Sequence, residues 1–241
     1  MLSLKDQVVV ITGAGSGIGK SIAIELSKKG AGLCLLGRDS EKLEVVAKMA
    51  GKHSSFVKCY VLDLIKDEDI EELQKKLDSD FDHIDILVHS AGVISLGQLE
   101  FASVNDFDRQ YRINVRAPFL LTQTLLPLLK SGKGQVVFIN SSAGLKAGVN
   151  NAQYAATKSA LIAIADGLRN ELNSEGIRVL SVYPGRTATA MQETVYKMEG
   201  RTYRPERLLQ AEDIAVTVIN ALSIPRTAEI TDIHIRPFLK S

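Results

Sequence analysis

The sequence predicts an α/β protein: a doubly wound, mostly parallel sheet of seven strands with helices on both faces. Three observations lead there. Segments of strand period and of helix period alternate along all 241 residues, the pattern of a parallel sheet covered on both sides. The first of them, Val8 to Thr12, is apolar and β-branched and runs through a glycine-rich turn straight into a helical pattern. No Pro/Gly/Ser-rich linker divides the chain, and its length suits one α/β domain, 1–241.

The expected strands are 8–12, 32–36, 57–61, 84–89, 135–140, 177–183 and 229–235. The expected helices are 18–29, 40–51, 67–78, a long one around 104–130 interrupted near Asn114, then 153–174 and 211–223. In such sheets ligands bind at the carboxyl ends of the strands, near the switch in strand order, so chemistry is sought just after each strand.

After the first strand come Gly13-Ala14-Gly15-Ser16-Gly17-Ile18-Gly19. Strand, glycine turn and helix together aim backbone N–H groups and the positive end of a helix at a phosphate. The spacing is not G-x-G-x-x-G; it is T-G-x-x-x-G-x-G, carried by Thr12, Gly13, Gly17 and Gly19. After the second strand, Gly37 offers no carboxylate and Arg38 follows at once, a pattern that suits a 2′-phosphate and favours NADP(H) over NAD(H). The alternative is that Arg38 and Asp39 are solvated and that Asp39 merely starts the helix at Ser40. After the third strand, Asp63-Leu64 allows two readings: an acceptor for an adenine amino group, or a cap for the following turn. After the fourth, Ser90-Ala91-Gly92 are small enough for close backbone approach to a ribose, and His89 reads as a packed or loop histidine rather than a base.

After the fifth strand lie Asn140-Ser141-Ser142-Ala143-Gly144, then Tyr154 and Lys158 on the next helix. Four residues apart, Tyr154 and Lys158 share a helical face. An ammonium near a phenol draws the phenol pKa down from about 10, and such a phenol can exchange a proton with a carbonyl or alcohol oxygen. The Ser141 hydroxyl can hold the same oxygen.

Composition narrows the classes. With 29 basic and 28 acidic residues, nothing calls for nucleic acid or an acidic membrane as partner. No apolar run reaches membrane-spanning length and residues 1–7 do not resemble a signal peptide, so a soluble, cytoplasmic protein is expected. Four scattered histidines show no ligand spacing, so no metal site is expected. Cys34 and Cys59 sit in strand-like runs and read as buried thiols.

Taken in order, Thr12-Gly13-x-x-x-Gly17-x-Gly19, Asp63, Ala91-Gly92, Asn114, Ser141, Tyr154-x-x-x-Lys158 and Pro184-Gly185 resemble a short-chain dehydrogenase/reductase of the compact type, over nearly the whole chain. The resemblance implies a Rossmann-type fold and hydride transfer between a nicotinamide cofactor and a carbonyl or alcohol. It implies Tyr154 as catalytic acid or base, Lys158 lowering its pKa and binding the nicotinamide ribose, and Ser141 orienting the substrate oxygen. Asn114 would break the long helix and hold a water linking Lys158 to solvent. Ser141, thirteen residues before Tyr154 and three before Gly144, fits the family serine; Ser142 does not.

Pro184, Gly185, Thr187 and Thr189 match the loop that binds the nicotinamide carboxamide, while Arg186 could reach a cofactor phosphate or a substrate, or be a solvated loop arginine. His89-Ser90 stands where the family commonly has Asn-Asn. The stretch 190–209 is placed as a substrate lid, which an ordinary surface helix would also fit. The helices 104–130 and 153–174 and the strand 229–235 resemble subunit contacts of a homodimer or homotetramer. The expected activity is NADP(H)-dependent carbonyl reduction on a small molecule; the alternative is an NADP(H)-binding regulator with little catalysis.

Overall fold

A computed structural model describes residues 2–239, so the ends of the expected 1–241 unit lie outside the described residues. Seven strands, β1 (Val8–Thr12), β2 (Gly32–Gly37), β3 (Val57–Val61), β4 (Ile86–His89), β5 (Gln135–Ile139), β6 (Arg178–Pro184) and β7 (Asp232–Ile235), form one sheet. Their order is β3-β2-β1-β4-β5-β6-β7 and every pairing is parallel. The order reverses between β1 and β4, so the carboxyl ends of those two strands frame a crevice.

Among the described residues eight α-helices cover the sheet: α1 (Gly17–Lys28), α2 (Ser40–Ala50), α3 (Asp67–Asp80), α4 (Val104–Tyr111), α5 (Ala117–Ser131), α6 (Ala152–Leu172), α7 (Ala190–Met198) and α8 (Ala211–Leu222). Side chains alternate faces along each strand. Val9, Ile11, Leu33, Leu35, Ile86 and Val88 therefore pack under α1, α2 and α8, while Val10, Cys34, Leu36, Leu87, Val136 and Phe138 pack under α3, α5 and α6. Both sides of the sheet are dry, which is why the central strands are apolar without interruption.

One expectation is corrected and two take definite form. The long helix is interrupted at Asn114 as expected: Arg112–Arg116 form a single π turn between α4 and α5, in which Asn114 is buried. Cys59 is exposed, because β3 is the sheet edge and none of its residues is fully buried, whereas Cys34 on the neighbouring β2 is buried. Within 190–209 the chain forms the helix α7, followed by a short 3₁₀ turn, Pro205–Arg207. Among the described residues no helix is long and apolar enough to cross a membrane.

Candidate active site

The crevice opens into a cleft of about 1080 Å³, which is lined by every expected cofactor-binding and catalytic residue except Gly19 and Asn114. Its first half is made by backbone. The Thr12 hydroxyl donates to the Val88 carbonyl (3.3 Å) and accepts from the Ser90 and Ala91 N–H groups (3.0 and 3.1 Å), lacing the loop after β4 to the end of β1. Gly13 holds φ +65°, and a Cβ there would stand 2.9 Å from both N and Cα of Ala91. Only glycine takes that conformation without strain and leaves room for the neighbouring loop. Ser16, the residue before α1, makes no side-chain cap, so no side chain takes up the first-turn N–H groups of that helix. A glycine turn with free amides and the positive end of a helix fits the pyrophosphate of a dinucleotide.

At the end of β2, Arg38 is exposed at the cleft. The adjacent Asp39 is turned to its helix: it accepts from the Lys42 N–H at 3.1 Å and pairs with the Lys42 ammonium at 2.9 Å, which holds its carboxyl below the usual range. Asp39 thus caps α2, the alternative weighed from the sequence. Lys42 also lines the cleft and was not foreseen; four residues beyond Arg38, it is a second cation there. Asp63 accepts from the Ile65 N–H at 3.2 Å, the turn cap of the two readings, while it and Leu64 line the cleft. His89 is buried, stacked on Phe138 at 4.9 Å, with Nε2 2.8 Å from the Thr122 hydroxyl. That hydroxyl donates to the Pro118 carbonyl, so Nε2 must carry the ring proton.

The second half is made by side chains. Asn114 accepts from the Val93 N–H and donates to the Val93 carbonyl, both at 2.9 Å, and donates to the Thr157 hydroxyl at 3.1 Å. It thereby ties the π turn to the loop after β4 and to α6. Ser141 starts a 3₁₀ turn, Ser142–Gly144, its hydroxyl accepting from the Ala143 N–H at 3.1 Å and its own N–H donating to the Asn140 side chain at 2.8 Å. A Cβ on Gly144 would stand 2.9 Å from the Lys158 backbone, so glycine lets this turn lie against α6. That contact brings Ser141 to Tyr154 and Lys158, all three within the same cleft.

The electrostatics depart from expectation. Tyr154 is buried, which pushes its phenol up to about 12; the Ser141 hydroxyl, in hydrogen-bond contact, pulls the other way but less strongly. Lys158 is buried too and falls to about 8. Its ammonium lies 6.0 Å from the Tyr154 ring centre and donates to the Ile139 carbonyl at 3.0 Å. Desolvation therefore outweighs the attraction that sequence spacing alone suggests. The phenol keeps its proton at neutral pH.

The loop after β6 completes the cleft with Pro184, Gly185, Thr187 and Thr189. Thr187 donates to the Gly185 carbonyl (3.0 Å), and the Thr189 hydroxyl caps α7 by accepting from the Gln192 N–H (3.2 Å). Arg186 is not a solvated loop arginine: both its terminal nitrogens donate to Glu199, at 2.8 and 2.7 Å, and it lies 4.9 Å from the centre of the Tyr196 ring. It clamps α7 to this loop.

Fold and site together define a doubly wound oxidoreductase with a tyrosine, a serine and a lysine beside a dinucleotide cradle. Residues 7–200 match the short chain dehydrogenase family, and the chain belongs to it. An uncharacterised oxidoreductase of Staphylococcus epidermidis is 33% identical over 238 residues, covering 98% of this chain and 100% of the relative. Among solved structures, a levodione reductase superposes with a TM-score of 0.90 at 27% identity, with 97% of each chain covered. An alcohol dehydrogenase from the archaeon Thermococcus sibiricus, complexed with 5-hydroxy-NADP, superposes with a TM-score of 0.87 at 26% identity, with 98% of each chain covered.

Proposed function

We propose that the protein is an NADP(H)-dependent carbonyl reductase, acting on a small-molecule ketone or aldehyde with Tyr154 as proton donor. The observation that carries this reading is the buried, protonated Tyr154 in contact with Ser141, with Lys158 one helical turn away on the same face. When bound, the nicotinamide supplies the hydride. Everything else falls to the chain. Ser141 and Tyr154 hold the carbonyl oxygen between two hydroxyls, and the Tyr154 proton moves to that oxygen as negative charge develops on it. Lys158 places a cation beside the phenolate left behind, and Asn114 fixes the helix that carries them.

Gly13, Ser16, Gly17, Ile18 and Gly19 would hold the pyrophosphate on backbone amides. Arg38, with Lys42, would meet the 2′-phosphate, supported by the 5-hydroxy-NADP in the similar Thermococcus structure. Asp63 and Leu64 would flank the adenine. Ser90, Ala91 and Gly92 would contact the ribose, and Pro184, Gly185, Thr187 and Thr189 the carboxamide. The chain would work as one catalytic unit with 190–209 as lid, in the cytoplasm. A homodimer or homotetramer is supported by the exposed Val104, Phe107 and Tyr111, which share one face of α4.

The test is initial-rate reduction of a panel of aromatic, steroid, sugar and pterin carbonyls with NADPH and NADH in parallel. Turnover preferring NADPH is expected. Tight NADPH binding with no turnover on any class would overturn the reductase reading.

A further inference from the structure

The substrate end of the cleft carries a charge imbalance that the reaction does not use. Lys146, from the loop after Ser141, Arg186, from the loop after β6, and Arg201, from the lid, all line the cleft; the carboxylate paired with the two arginines is Glu199. Arg186 spends both terminal nitrogens on the two oxygens of Glu199. Arg201 reaches that carboxylate only at 3.4 Å through one nitrogen. Lys146 makes no ion pair among the described residues. One acid therefore stands against three bases.

Arg201 is also held in place. Gly200, at φ +64°, ends α7 by turning the chain back: the Gly200 N–H bonds to the Lys197 carbonyl (3.2 Å) and the Arg201 N–H to the Tyr196 carbonyl (2.9 Å). The returning side chain lies 5.2 Å from the centre of the buried Tyr196 ring. A guanidinium held by an aromatic ring and a carboxylate edge has given up part of its freedom in advance, and among the described residues four of its five N–H donors have no hydrogen-bond partner. Its planar fork matches a carboxylate. Apolar Met191 and Val195 line the same cleft.

The geometry points to a carbonyl substrate that also carries a carboxylate, an oxo acid, held by Arg201 with Lys146 adding to the field. This inference rests on the reductase reading. It is tested with matched pairs, 4-acetylbenzoate with its methyl ester and benzoylformate with its methyl ester, each reduced with NADPH by the wild type, R201M, R201K and K146M. The measured quantity is the acid-to-ester ratio of kcat/KM, in which the intrinsic reactivity of each ketone cancels between variants.

In R201M the ratio should fall by about 10- to 100-fold for at least one pair, the worth of a hydrogen bond to a charged group. K146M should lower it less, and R201K should restore only part of it, since an ammonium keeps the charge but not the fork. Raising salt should lower the wild-type ratio, because the anion is drawn partly by field. An unchanged ratio in R201M, or a rise in the KM for NADPH in its place, would overturn the inference. If no ketone oxidises NADPH, the reductase reading fails separately. Calorimetric binding of 4-acetylbenzoate to the NADP complex then decides: binding lost in R201M supports the anion site, and equal or absent binding in both proteins refutes it.

Discussion

The two sides of the switch point use different chemistry. On the β1–β2–β3 side the cleft is built from backbone: a glycine turn at positive φ, uncapped helix amides, and the Thr12 hydroxyl lacing two loops. On the β4–β5–β6 side it is built from buried side chains, Asn114, Tyr154 and Lys158 with Ser141 beside them. Backbone donors suit a ligand part that never changes charge. A reacting oxygen does change charge, and it needs groups whose protons can move.

The sharpest way to break the contrast is Tyr154→Phe. Turnover should fall by about 10²- to 10⁴-fold, the contribution of a positioned general acid, while NADPH binding followed by fluorescence stays as it was. Full turnover in that variant would remove the tyrosine from the chemistry. Gly13→Ala should do the reverse. A side chain at φ +65° that also meets Ala91 costs about 1–3 kcal/mol, so NADPH affinity should drop by about tenfold or more, with turnover at saturating cofactor changed far less. Equal losses in both quantities would mean that the two sides are not separable.

A smaller effect is expected at Arg38. Exchanging it for Asp should lower the NADPH-to-NADH preference by about tenfold, one charge-assisted contact, as read from paired kcat/KM values. An unchanged ratio would refute its assignment to the 2′-phosphate.

The smallest effect concerns His89, behind the loop that joins the two sides. Burial holds its imidazole at about 3, so the folded chain keeps it neutral while the unfolded chain takes a proton below about pH 6.5. That stability is full above pH 6.5 and is lost as pH falls toward 3, at no more than about 1.4 kcal/mol per pH unit. Urea unfolding of His89→Gln between pH 7 and 4.5 should therefore show a shallower loss than the wild type. Parallel curves would mean that the ring is not neutral in the fold.

The sheet, its parallel sense and the order of its elements were legible because each rests on local pattern: apolar runs, helical period and glycine turns. So was the grouping of Ser141, Tyr154 and Lys158, since family spacing sets it. Less was legible where the deciding contact is distant in sequence. Cys59 is exposed because β3 found no outer neighbour. Arg186 is clamped because Glu199 returns to it thirteen residues later. Lys42 joins the cleft because the first turn of α2 faces it.

By itself, then, the sequence determined the doubly wound class, the glycine turn after the first strand and the grouping of Ser141, Tyr154 and Lys158, all consequences of short-range geometry. Only the tertiary structure decided their electrostatic state. A lysine four residues from a tyrosine predicts a depressed phenol. Folding instead removes both from water, and the cost of burying charge leaves the phenol protonated and the ammonium close to neutral pH. Desolvation depends on everything packed around a group, and no local pattern carries that information.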